Sequence, residues 1–221
     1  MKKLHADSIT KSFGTTKILQ DVFISCETGK ISGILGPSGG GKSTLLQIIF
    51  GTVKGDTQFI RYDDIVLKSL SDRKNRIVYL PQRTSFLPKN IKIRNLIPLF
   101  CNRENTEKLN QLDLMKPFLE ETTRHLSGGE KRIVETLIIL YSDADFILLD
   151  EPFSGISPKL CDEMERIIKG QSPHKGIIIS DHNYESVFRM ADDVYLLSQT
   201  YLRKIKDFEE LRRFNYLPKS F

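Results

Sequence analysis

Eight consecutive residues, Gly36-Pro37-Ser38-Gly39-Gly40-Gly41-Lys42-Ser43, set four glycines before a lysine and a hydroxyl. Without a Cβ, glycine lets the backbone curl until successive N–H groups face one point, and such a nest binds an anion. The lysine adds a cation that reaches the β- and γ-phosphates, and the hydroxyl adds a ligand for Mg²⁺. The run fits G-x-x-x-x-G-K-[ST], which works only between a buried strand and a helix whose N-terminus carries partial positive charge. Both are predicted: residues 31–35 are apolar and end at glycine, and residues 43–50 place Leu45, Leu46, Ile48 and Ile49 at helical spacing. Residues 36–44, through Thr44, therefore read as a phosphate-binding loop.

A second constellation, Phe146-Ile147-Leu148-Leu149-Asp150-Glu151, is an apolar strand that delivers two carboxylates at its C-terminal end, where open α/β sheets bind ligands. Asp150 would hold Mg²⁺ through water, and Glu151 would polarise an attacking water as general base. Strands ending in acidic residues are common, but one paired with the phosphate loop defines a P-loop nucleoside triphosphatase. The chain has no N-K-x-D guanine motif, which disfavours a GTPase.

The elements that must position these groups alternate between β-rich and helical segments, the pattern of a layered α/β domain. Residues 4–9 and 22–25 read as antiparallel strands, and residues 52–67 as a polar strand-turn-strand region. Buried strands are expected at 76–80, 146–149 and 176–180, each ending in polar residues. Residues 91–121 switch to short helical stretches broken by Pro98, Asn102 and Pro117, a small helical subdomain inserted over roughly 83–126 of a single domain spanning 1–221. A helix over 129–141 returns the chain to the sheet, and a hairpin over 192–205 and a short helix over 208–214 follow.

The third motif is His125-Leu126-Ser127-Gly128-Gly129-Glu130. Alone, Ser-Gly-Gly before a helix is most often an N-cap turn, although a serine hydroxyl and bare N–H groups at a helix start can also grip a phosphate. With L-S-G-G-E at this distance before the Asp150-Glu151 strand, nearly the whole chain resembles the ATP-binding cassette (ABC) family. The resemblance implies a RecA-like P-loop core with an antiparallel β subdomain and an inserted helical subdomain. It implies ATP and Mg²⁺ as cofactors and ATP hydrolysis coupled to transport. Gln82, which alone would pass for a surface residue, matches the glutamine that contacts Mg²⁺ and the attacking water and opens the loop touching a transmembrane partner. His182, in Ser180-Asp181-His182, matches the histidine that senses the γ-phosphate; alone it would more often be structural. Phe13 lies where the family stacks an aromatic ring on adenine, with a plain core phenylalanine as the other reading. In this family two cassettes pair head to tail, so residues Leu126, Ser127, Gly128, Gly129 and Glu130 would act on the partner subunit's ATP in a homodimer.

Some positions depart from the family pattern. Ser157 replaces the aspartate of S-A-L-D, so the coupling between two ATP sites loses a charge. Thr136-Leu137-Ile138-Ile139-Leu140 stands for A-R-A-L, Asp143-Ala144-Asp145 precedes the catalytic strand where proline is usual, and the stretch between Gln82 and Ser127 is compact. None removes a ligand or base. Short motifs around Asp150 and His182 resemble lipopolysaccharide-export and branched-chain amino-acid cassettes.

The 221 residues are 39% hydrophobic and 28% charged, enough for a sizeable core and against intrinsic disorder. No apolar run approaches the 18 or so residues of a membrane-spanning helix, and no export signal opens the chain. The resemblance thus implies a cytoplasmic subunit, peripheral at the inner face of the membrane through partner chains. Cys26, Cys101 and Cys161 are spaced as reduced structural thiols. A net charge of +5 is dispersed, and the basic stretches at 73–76 and 203–219 read as solvated faces, so no direct nucleic-acid binding is expected. The alternative to a transporter subunit is a soluble ABC ATPase acting on a protein assembly, such as iron–sulfur cluster biogenesis.

Overall fold

Two sheets carry the architecture of the computed structural model, which describes residues 1–83, 85–214 and 216. The first is antiparallel: β1 (Lys3–Phe13) and β2 (Thr16–Glu27) form a hairpin, and β4 (Thr57–Tyr62) and β5 (Ile65–Val66) extend it in the order β2-β1-β4-β5. Leu4, Ala6 and Ile9 pair with Cys26, Ile24 and Val22, so one face of the hairpin is apolar and buried.

The second sheet holds β3 (Ile31–Leu35), β6 (Ile77–Leu80), β7 (Phe146–Asp150), β8 (Gly176–Ser180), β9 (Asp193–Ser198) and β10 (Tyr201–Ile205), in the order β10-β9-β3-β8-β7-β6. All its pairings are parallel except the β9–β10 hairpin. Every residue of β3, β7 and β8 is buried, as central parallel strands covered on both faces must be. Side chains alternate between those faces. Ile147, Leu149, Ile177 and Ile179 face one core, whereas Phe146, Leu148 and Ile178 face another with Leu4, Ile24 and Ile60 of the first sheet.

The helices are α1 (Lys42–Phe50), α2 (Leu70–Arg73), α3 (Ile93–Leu96), α4 (Arg103–Gln111), α5 (Gly128–Tyr141), α6 (Pro158–Gln171), α7 (Tyr184–Met190) and α8 (Phe208–Arg213). Leu45 and Ile49 of α1 lie in the core shared with the antiparallel sheet, and Leu137 and Ile138 of α5 lie in the other. That second core also receives Ile93, Leu96 and Leu109 from the short helices between β6 and α5. There Pro98 sits in the first turn of a 3₁₀ segment (Ile97–Leu99), and Asn102 caps α4 by accepting from Asn105 N at 2.9 Å.

No sequence signal marks α2, α6 or α7. One of the chain's basic stretches is also corrected: Arg73 is buried rather than solvated, donating from Nε to Ile49 O (2.8 Å) and from Nη1 to Ser69 O (2.7 Å). Its other basic stretch, 203–219, runs past residue 216 and there lies outside the described residues. All three cysteines are free thiols. No described helix is long and apolar enough to cross a membrane.

Candidate nucleotide site

Strand β3 ends at Gly36, and the chain loops over to α1 with Gly41 as its N-cap at φ 102°. A Cβ there would meet Ile18 Cγ2 at 2.7 Å, so both the dihedral and the space require glycine. Lys42 is buried and crosses the loop, donating from Nζ to Gly36 O (2.7 Å) and Pro37 O (3.1 Å). Burial holds its ammonium below the ordinary lysine range, against the opposing pull of Glu151, Asp150 and Asp181.

A cavity of about 260 Å³ lies over this loop, lined by Ser38, Gly39, Gly40, Gly41, Lys42, Ser43 and Thr44. Phe13, Gln82 and Glu151 line it too, which brings together residues from β1, the end of β6 and the end of β7. Phe13 is 54% exposed at the end of β1, which excludes the core reading of this ring. Ile18 and Arg83 also line the cavity; no sequence motif marks either residue.

Strand pairing explains how the polar groups converge. Leu80 pairs with Leu149 and Asp150 with Ser180, so Gln82, Glu151 and His182 follow three adjacent parallel strands and emerge on one edge of the sheet. Glu151 adopts φ 51°, a left-handed conformation, and its N–H donates to Ser180 O at 2.8 Å. His182 is mostly exposed, while Asp181 is buried and accepts from the N–H groups of His182 (2.7 Å) and Asn183 (2.9 Å). Burial raises the Asp181 carboxyl above the usual range, opposed by those N–H groups and His182.

Asp150 sits behind the cavity rather than in its lining. It is fully buried and accepts from Ser180 Oγ (2.5 Å) and Tyr79 OH (3.0 Å), and burial beside this carboxylate raises the Tyr79 hydroxyl. Gly36 and Pro37 contribute carbonyls to Lys42 and do not line the cavity.

The 126–130 segment is elsewhere: none of its residues lines the cavity. Ser127 N-caps α5 in a capping box, its Oγ accepting from Glu130 N (3.3 Å) while its own N–H donates to Glu130 Oε2 (2.8 Å). Those bonds hold the Glu130 carboxylate below the usual range. Leu126 is buried in the core and anchors the turn, leaving Ser127 and Gly128 exposed. Gly129 abuts the turn after Glu151, where a Cβ would lie 2.3 Å from Gly155 O.

Residues 19–154 match the family model described as ABC transporter. The chain belongs to the ABC transporter family. The cassette is 33% identical over 215 residues to the lipopolysaccharide export system ATP-binding protein LptB of Escherichia coli K12, covering 91% of this chain and 89% of that protein. The LptB of Haemophilus influenzae is 31% identical over 210 residues, covering 89% and 87%. A solved nucleotide-free ATP-binding cassette from an ABC transporter superposes with a TM-score of 0.80 at 24% identity, over 99% of this chain and 96% of that one. A second solved cassette, in its ADP conformation, gives 0.76 at 24% identity over 99% and 96%. The fold is thus the ABC ATPase fold, and the cassette is an ATP-binding, ATP-hydrolysing transporter subunit closely related to LptB-type ATPases.

Proposed function

We propose that the cassette works as a head-to-tail homodimer closed around two ATP molecules, each held between one chain's phosphate loop and the partner's 126–130 segment. The observation that carries this reading is the separation within one chain: Ser127 and Gly128 are exposed at a helix start and do not line the nucleotide cavity. A helix N-terminus with free N–H groups suits a γ-phosphate brought by a second chain.

Within each site, Lys42 and the loop N–H groups neutralise charge on the transferred phosphoryl group. Glu151 accepts the proton of the attacking water, and His182 holds that water and the γ-phosphate in line. Ser43 and Gln82 offer hydroxyl and amide oxygens in the cavity, with the Asp150 carboxylate behind them, a hard-oxygen set that fits Mg²⁺. When bound there, Mg²⁺ would neutralise phosphate charge. Phe13 stacks on the adenine.

Membrane subunits are the proposed recipients of the motion. An apolar groove of about 800 Å³ adjoins the Gln82 turn, lined among others by Phe50, Leu70, Val78, Pro81, Phe86 and Phe100, and we infer that a transmembrane subunit docks there. The cassette would then sit peripherally at the cytoplasmic face. LptB belongs to a lipopolysaccharide export system, and this cassette shares the subunit type; its cargo would be set by the membrane chains.

Purification of the tagged cassette from its native cells in mild detergent, followed by mass spectrometry, tests the reading. A stoichiometric multi-span membrane protein is expected. A soluble partner set without one, with ATPase activity intact, would return the assembly-factor alternative. Gel filtration of Glu151→Gln with ATP and Mg²⁺ tests pairing, and a strictly monomeric profile at high concentration counts against it.

A further inference from the structure

Arg132 lies on the second turn of α5 and is buried, and its guanidinium spends its donors on backbone carbonyls at the active edge of the sheet. Nη1 donates to Pro81 O at 2.6 Å, the residue before Gln82. Nε and Nη2 both donate to Glu151 O, at 3.2 and 3.1 Å, and Nη2 also donates to Asp150 O. One planar fork therefore joins the ends of β6 and β7, whose carbonyls run out of ladder partners where the strands stop. It also fastens both to α5, the helix that starts within the 126–130 segment.

Glu151 needs such a tie. Its left-handed backbone is a conformation that a non-glycine residue keeps only when its surroundings hold it. The N–H of Glu151 is held by Ser180 O and its carbonyl by Arg132, so the peptide units on both sides of its Cα are fixed. A lysine ammonium has its three donors on one nitrogen and cannot spread them over the three carbonyls as the guanidinium fork does.

We propose that Arg132 is a positioning residue for hydrolysis, holding the Glu151 carboxylate and the Gln82 turn in register with α5. It touches no nucleotide and acts through Glu151, so the proposal rests on Glu151 as general base. Its effect falls on turnover rather than on nucleotide affinity, because the phosphate loop is anchored separately on β3 and α1.

The test is a cycle of Arg132→Lys, Glu151→Gln and the double variant, each checked for folding by thermal melting, with kcat and ATP affinity measured separately. Arg132→Lys is expected to lower kcat at least tenfold while leaving the ATP Kd within about twofold, since residues acting as a unit lose rate without losing binding. In the Glu151→Gln background it should add little further loss. Wild-type kcat in Arg132→Lys, a parallel loss of affinity, or losses that multiply in the double variant would each overturn the proposal. Failure of the base assignment shows separately, as near-wild-type turnover in Glu151→Gln alone. Arg132→Gln, which keeps a planar amide donor, is the second variant; if neither variant folds, Arg132 is a structural residue and the proposal falls.

Discussion

His182 Nδ1 lies 4.0 Å from Glu151 Oε2 and 3.4 Å from Asp181 Oδ1. The ring stands mostly in solvent beside a carboxylate that is nearly enclosed; Glu151 lines the nucleotide cavity, and His182 stands next to it outside that lining. Glu151→Gln keeps the shape and the hydrogen-bonding reach but cannot accept a proton. Turnover is expected to fall by about 10²–10⁴-fold, the usual contribution of a general base. Equilibrium ATP binding should be retained. Steady-state ATPase of contaminant-free protein, with nucleotide affinity measured in parallel, checks both halves; wild-type-like turnover would remove Glu151 from the role.

Two neighbouring glycines should respond differently to the same methyl group. At Gly129 a Cβ would lie 2.3 Å from Gly155 O, whereas at Gly128, apart from its chain neighbours and its own helix backbone, nothing among the described residues comes within 4 Å. Gly129→Ala must therefore shift the start of α5 or the turn after Glu151, and is expected to lower the melting temperature of the isolated chain. Gly128→Ala should melt like the wild type, yet lose cooperative ATPase if that exposed surface receives the partner's nucleotide. Melting curves with ATPase measured against protein concentration separate the two, and full activity in Gly128→Ala would argue against the paired site.

Chemistry of narrow residue choice was the most legible part of this chain. The phosphate loop, the Asp150-Glu151 strand end and the Ser127 cap each demand particular side chains at fixed spacing, and the fold places them on a strand-loop-helix, a strand end and a helix start. Helices α6 and α7 left a weaker trace. Of α6 only Met164, Glu165 and Ile168 are buried, and Glu165 is satisfied by Ser186 and by Arg189 Nη2 at 2.8 Å. A buried glutamate looks like a solvent-facing one until its partners are known. Arg73 and Arg132 hid for the same reason: Ile49 O, Pro81 O and the carbonyls of residues 150 and 151 that they bond are distant in sequence, which no local pattern records. Asp150 was legible as a strand-end acid, but its engagement by Ser180 and Tyr79 depended on strand pairing.

Glu135 gives a pH signature of the contact between α5 and the segment after Gln82. It is buried with Oε1 unpartnered among the described residues, and burial raises its carboxyl above the usual range. Ser85, the cations Arg132 and Lys131, and the Phe86 backbone oppose that shift. For an acid whose folded value is raised, the unfolded chain releases its proton first as pH climbs. The native state therefore loses stability between the ordinary value of 4.5 and the raised folded value. Glu135→Gln removes this term, so its stability relative to wild type should rise with pH across that window and level off above it. Urea melts from pH 4.5 to 7.5 would show the divergence; parallel pH curves for the two proteins would mean that Glu135 titrates normally.

Phe13 lines the cavity, and Lys11 Nζ stands over its ring, 5.1 Å from the centroid. Stacking of a base on such a ring contributes about 1–3 kcal/mol and reads no base edge. Phe13→Ala should therefore weaken ATP about 5- to 150-fold. GTP should weaken by the same factor, leaving the ratio of the two affinities unchanged, whereas Phe13→Tyr should bind both normally. Because the side chain is exposed, melting temperature should hardly move in either variant. Fluorescence titration with both nucleotides distinguishes the outcomes. Selective loss of ATP would mean that this edge of the cavity recognises adenine by more than its face, and unchanged affinity for both would place the base elsewhere.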